Sequence, residues 1–182
     1  MAKKAKTRIK SVINILMKIL LPLAATAFAL FGCHKDNLTG ASCNMQQVYA
    51  DNANKVTIAT GIFGTISSLE GDCMPGSDGT CTNCPAKRTV QIYQYALLNN
   101  ATRSGTSNDF FYSFNTSLVA QAGTDDNGFF QINIPPGHYS VAVVENGKLY
   151  ANQLDGQGGL NPITLVTGAE KVNITMTYKA SF

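Results

Sequence analysis

The sequence predicts an all-β chain, a single antiparallel β-sandwich of about seven to eight strands. Three observations carry that prediction. No stretch of the chain holds a helical period. About eight short β-rich runs follow residue 56, separated by clusters of Gly, Pro, Asn and Asp. One of these clusters opens the stretch "GTDDNGFFQINIPPGHYSVAVVENGK", residues 123 to 148, in which apolar and polar residues then alternate with the period of two expected of a half-buried strand.

In chain order, residues 56 to 67 (VTIATGIFGTIS) form the first run, with Gly61 and Gly64 marking a bend or bulge. "EGDCMPGSDGTCTNCPAKR" is too rich in Gly, Pro, Asp and Cys to be anything but a loop. Residues 89 to 97 (TVQIYQYAL) make the next strand, followed by a polar and aromatic insertion over 99 to 115 and a strand over 117 to 122. After Gly128, Phe130, Ile132 and Ile134 share one face while Phe129, Gln131 and Asn133 share the other. Pro135-Pro136-Gly137 breaks the ladder, because proline has no N–H to donate, and Tyr139, Val141 and Val143 then resume an inward face. Asn146-Gly147 is the favoured type I′ hairpin pair and turns the chain into a strand over 148 to 153. Two more runs, 163 to 166 and 171 to 178, complete the set.

The run from Gly123 to Val143, with an Asp/Gly turn, an F-x-I strand and then P-G-x-Y-x-V-x-V, resembles the signature of carboxypeptidase regulatory-like domains. These are the transthyretin-like and Cna B-type β-sandwiches. Gly61 to Ile66 is similar to their G-x-V opening strand. The resemblance covers roughly residues 56 to 180, the cysteine loop and the 99 to 115 insertion departing from it. It implies a module without catalysis, one that docks, spaces or binds carbohydrate. Cna B-type domains also carry Lys–Asn isopeptide crosslinks beside a buried acid, and Lys55 and Asn173 are the only tempting pair, with nothing to place Glu145 between them.

The N-terminal end gives an address. Lys3, Lys4, Lys6, Arg8 and Lys10 stand without an acid before an apolar run from Ile19 to Gly32, a charged segment followed by a hydrophobic one too short for a bilayer span of roughly 20 residues. Leu30-Phe31-Gly32-Cys33 resembles a bacterial lipobox, with Phe31 where a small residue is usual. The expected organisation is a lipoprotein signal peptide over 1–32, lipidated Cys33 and a flexible tether over 33–55, and the sandwich over 56–182. Lys35-Asp36 resembles the charged signals that sort some Gram-negative lipoproteins to the cell surface. The expected localisation is therefore the outer membrane, held by lipid and facing the periplasm or the outside.

Removing that signal takes six of the 14 basic residues and none of the 11 acidic ones, leaving a formal charge of −3. No Lys/Arg cluster remains to form a nucleic-acid footprint, so nucleic acid is excluded as a partner. In an exporting context Cys43, Cys73, Cys81 and Cys84 read as structural disulfides, with three connectivities open. Cys81-x-x-Cys84 lacks the helix N-terminus and βαβ setting of a redox pair.

Site chemistry is sparse. Asp125, Asp126 and Asn127 offer oxygens of the kind calcium takes, but the alternating loop spacing and its distant Glu are missing, and a hairpin turn accounts for them. No G-x-S-x-G, H-E-x-x-H or Walker loop occurs, and His34 and His138 are the only histidines. No catalytic residue, metal or cofactor is expected. Two segments remain as ligand candidates: the aromatics of "NDFFYSFN", chiefly Phe111 and Tyr112, and the amides and acid of "YANQLDGQGGLNP", namely Asn152, Asp155, Gln157 and Asn161. The function expected is a lipid-anchored envelope module for binding or assembly, with a protein or a glycan as partner. A carbohydrate-binding accessory lipoprotein and an enzyme with an unrecognised carboxylate site are the alternatives.

Overall fold

The computed structural model describes residues 43–76, 80–105 and 107–182. The signal segment, Cys33 and residues 34–42 of the tether lie outside the described residues. The described part belongs to one compact unit, Gly40–Phe182.

Its elements are a helix α1 (Met45–Ala53) and, in chain order, β1 (Gly61–Asp72), β2 (Thr82–Pro85), β3 (Thr89–Gln94), β4 (Ala101–Arg103), β5 (Phe110–Phe114), β6 (Leu118–Gly123), β7 (Phe129–Ile132), β8 (Gly137–Glu145), β9 (Lys148–Tyr150), β10 (Pro162–Leu165), β11 (Ala169–Lys171) and β12 (Ile174–Ser181). The all-β prediction holds, with more and shorter strands than expected. The cysteine loop contributes β2, the 99 to 115 insertion contributes β4 and β5, and the last run is divided between β11 and β12.

β1 is the axis of the smaller sheet. Along one edge it pairs antiparallel with β7 and then β2; along the other it pairs parallel with β11 and then β12. The expected antiparallel order thus holds for every pair except those two. β11 and the first residues of β12, Ile174 to Met176, run in one register against β1 before it shifts between Ser68 and Glu70, and Asn173 fills the break between the two strands, its Oδ1 accepting the Thr65 N–H at 3.0 Å. Gly64 lies at the same place because a Cβ there would collide with the carbonyl oxygen of Val172. Asn173 is therefore a backbone cap and no crosslink partner for Lys55, which pairs with Asp125 instead.

The larger sheet runs β4-β5-β9-β8-β3-β6, with β10 on the first half of β8, and every pair in it is antiparallel. Asn146 and Gly147 both have positive φ, 51° and 73°, the geometry of the predicted type I′ turn between β8 and β9. Tyr139, Val141 and Val143 project from β8 into the main core, against Ile62, Ile66 and Ile132. A second apolar cluster forms around Ala142, Leu149, Phe111 and Phe114.

Residues 45–53, assigned to the tether by sequence, are the helix. Nothing in MQQVYADNA marks a strong apolar face, and tertiary ties hold it. Asn44 caps its N-terminus by accepting the Gln47 N–H at 3.2 Å. Cys43 is bonded to Cys84 in β2. The Asn52 side chain, 2% exposed, donates to Thr65 Oγ1 and to the Asn127 carbonyl, both at 2.9 Å. The folded part consequently begins before Val56. The second disulfide, Cys73–Cys81, closes a loop of sequence separation 8, while Cys43–Cys84 spans 41, for which chain entropy alone predicts about 4 kcal/mol of stabilisation.

Candidate functional site

The Asp125 turn is structural. Its Oδ1 accepts the N–H groups of Asn127 and Phe129, both at 2.9 Å, and Oδ2 pairs with Lys55 Nζ at 2.7 Å. Asp126 pairs with Lys87 at 2.8 Å, and Gly128 takes the positive φ the turn requires, 70°. Both Asp125 oxygens are thereby occupied by the protein itself. Among the described residues no group of three or more His, Cys, Asp or Glu side chains is placed to hold a metal.

The aromatic candidate divides. Between β4 and β5 the register shifts: Thr102 faces Ser113 and Arg103 faces Phe111, leaving Tyr112 as the extra residue of a bulge. The bulge cancels strict alternation, so Phe111 and Phe114 fall in the same cluster, their rings 5.5 Å apart, and Tyr112 is expelled. Phe111 is fully buried, which corrects its assignment as a ligand platform. Tyr112 is 65% exposed, and the Lys148 ammonium lies 5.9 Å from its ring centre.

The 150 to 162 segment is held by its own polar groups. Asp155 Oδ1 accepts from Gln157 N and Gly159 N, at 2.8 and 2.7 Å, and Oδ2 accepts from Tyr95 Oη at 2.7 Å. Asn161, in a left-handed conformation with φ 39°, accepts the Gln153 N–H at 2.8 Å. Asn152 donates to the Thr175 carbonyl at 3.2 Å. The other amide atoms of that pair, Asn152 Oδ1 and Asn161 Nδ2, are buried. Asp155, Asn152 and Asn161 are thus occupied in shaping the chain, and Gln157 is the exposed member of the set, Asn152 and Asp155 being half-buried.

Two features of this end of the molecule were not legible in sequence. Tyr95 and His138 stack with ring centres 3.9 Å apart and planes 18° from parallel, His138 being exposed. Gly159 lies against Tyr95, where a Cβ would strike the ring. Beside them is an open cleft of about 450 Å³ lined by Leu97, Leu98, Asn99, Arg103, Gln157 and Gly158. Leu98 N donates to the Gly158 carbonyl at 2.8 Å, and Leu97 bridges to Gly159, which brings the two segments together. The signal available beforehand was Arg103 itself, the one charge between Arg88 and Asp109.

Electrostatics follow the hydrogen bonds. The Gly159 N–H, and after it the Tyr95 hydroxyl, hold the Asp155 carboxyl below the ordinary range. Burial pushes Asp125 up, but Lys55 and the N–H groups of Phe129 and Asn127 more than reverse it, so it too is lowered. Glu70 is lowered by Lys179 and Ser68. Carboxylates lowered in the folded state add stability that is complete above the unfolded value, near pH 4, and lost as pH falls through the folded one. Denaturation midpoints from pH 7 to pH 3 will therefore fall in acid, and Asp125→Asn will show a shallower fall. A variant curve parallel to wild type would show that the Asp125 contacts do not discriminate charge.

No protein-family model matches this chain, and no curated protein matches it. One solved structure, described as a "putative carbohydrate binding protein" from Pseudomonas aeruginosa, aligns over 69% of this chain and 95% of its own at 16% identity and a TM-score of 0.39, a likeness too slight to bear on fold or ligand.

Proposed function

We propose that this chain is a lipid-anchored, non-catalytic β-sandwich of the bacterial envelope whose open cleft binds carbohydrate. The observation that carries the reading is the cleft itself. Leu97 and Leu98 offer apolar surface for the C–H faces of a sugar, while Asn99, Gln157 and Arg103 offer donors and acceptors for its hydroxyls. The Cys43–Cys84 and Cys73–Cys81 disulfides agree with export to an oxidising compartment. The charged and apolar N-terminal segments ending at Cys33 supply the anchor in this reading, and the resemblance to carboxypeptidase regulatory-like domains agrees with a role free of catalysis.

The full chain, extracted in detergent, should be retained by immobilised polysaccharide, and Gln157→Ala should weaken retention severalfold without moving the thermal midpoint. Fatty-acid labelling should mark the wild type and not Cys33→Ser, which should leave the membrane fraction. Absence of retention on every polysaccharide tried, with a protein partner captured from envelope extract instead, would replace the carbohydrate reading. An unlabelled, soluble wild type would remove the anchor.

A further inference from the structure

We infer that the cleft selects an acidic saccharide, a uronate whose carboxylate is read by Arg103. The inference rests on the carbohydrate reading above and adds the charge of the ligand and the residue that recognises it.

Lys55, Lys87, Arg88 and Lys179 each have a carboxylate partner, and among the described residues Arg103, like Lys148 and Lys171, is in no ion pair. Its side-chain hydrogen bond runs from Nη1 to Asn108 Oδ1 at 2.6 Å, a neutral acceptor that orients the guanidinium and leaves its charge standing. None of the described residues lining the cleft is acidic. The acid nearest in sequence to that wall, Asp155, is turned to the N–H groups of Gln157 and Gly159 and to the Tyr95 hydroxyl.

A second groove sharpens the contrast. It has about 360 Å³ between β10 and β11 and is lined by Gln153, Thr164 and Asn173 together with Glu170 and Lys171, so one wall carries both signs of charge. Unlike that groove, the Arg103 cleft presents a positive charge without an acid among its described lining residues. A guanidinium has five N–H donors in a planar fork that matches a carboxylate in two-point contact. Asn108 takes one side of the fork. Arg103 also ends β4 opposite Phe111, which is fully buried, so its backbone stands on a packed strand. The amides of Asn99 and Gln157 and the side chains of Leu97 and Leu98 remain for the hydroxyls and ring of the same sugar unit.

The test compares oligogalacturonate with its fully methyl-esterified form, which keeps the sugar and removes the charge, against the full chain in detergent. The acid should bind at least tenfold more tightly than the ester, and its affinity should fall with added salt. Arg103→Gln should weaken the acid about 10- to 100-fold, the range for a hydrogen bond to a charged group, and barely move the ester. Arg103→Lys should lie between them. Arg103 is exposed, so the thermal midpoint should stay in place and exclude misfolding as the cause.

Equal binding of acid and ester, or a loss on Arg103→Gln that is the same for both, would overturn the inference while leaving carbohydrate binding intact. A sulfated polymer of otherwise neutral sugars bound as tightly as the uronate would overturn the carboxylate assignment. Retention of neither form nor any other saccharide would remove the carbohydrate reading and this inference with it.

Discussion

Phe111→Ala will destabilise the folded domain by about 3–5 kcal/mol, whereas Tyr112→Ala will change stability by about 0.5 kcal/mol or less. The two aromatics are neighbours in sequence and opposites in environment. Phe111 has no exposed surface and sits with Phe114, Leu149 and Ala142 in the second apolar cluster, so truncation leaves a cavity that β4, β5 and β9 cannot all close around. Tyr112 stands on the bulge with most of its ring in water. Urea denaturation at unchanged slope would measure both. A neutral Phe111→Ala would mean that the second cluster is slack and that β5 does not depend on it.

The same pair of residues shows why part of the molecule was unreadable beforehand. A strict period of two puts Phe110, Tyr112 and Phe114 on one face; one extra residue opposite β4 moves Phe114 onto the face of Phe111, and no residue in "NDFFYSFN" announces that insertion. By contrast the β7 and β8 strands were legible because their turns are chemically explicit. Asp125 can close its turn with its own carboxylate, and Asn146-Gly147 can take two positive φ angles. The helix was missed because its causes are distant in sequence: the Cys43–Cys84 bond, and Asn52 reaching Thr65 and Asn127. The cleft was missed for the same reason, since it exists only when Leu98 hydrogen-bonds Gly158 across 60 residues of chain. The loop beside it gave up its polar composition to inspection, but not the fact that Asp155 and Asn161 serve the backbone.

The second large effect belongs to the buried carboxylate at the end of β8. Glu145 is 4% exposed; its Oε2 accepts from Arg88 Nε, just before β3, and its Oε1 from the Tyr178 hydroxyl of β12 at 2.8 Å. The contact with Glu145 raises the Arg88 pKa, and burial, with Glu145 adding to it, raises that of Tyr178. One carboxylate therefore joins strands from both sheets. Arg88→Met should cost about 3–5 kcal/mol, because it strands a negative charge where water does not reach it. Glu145→Met should cost less, for the Arg88 side chain is 29% exposed and can turn to solvent, leaving the lost Tyr178 hydrogen bond as the main penalty, about 1 kcal/mol. The double variant Arg88→Met/Glu145→Met should be more stable than Arg88→Met alone, since it removes the stranded charge and refills the space with apolar atoms. Denaturant midpoints of the four proteins close the cycle. If Arg88→Met costs under about 1 kcal/mol, or if the double variant is the least stable of the four, the carboxylate is not depending on Arg88 for its place in the fold. An acid held this way by two donors is a tie between sheets, and the measured coupling is what separates that role from a carboxylate kept free for chemistry.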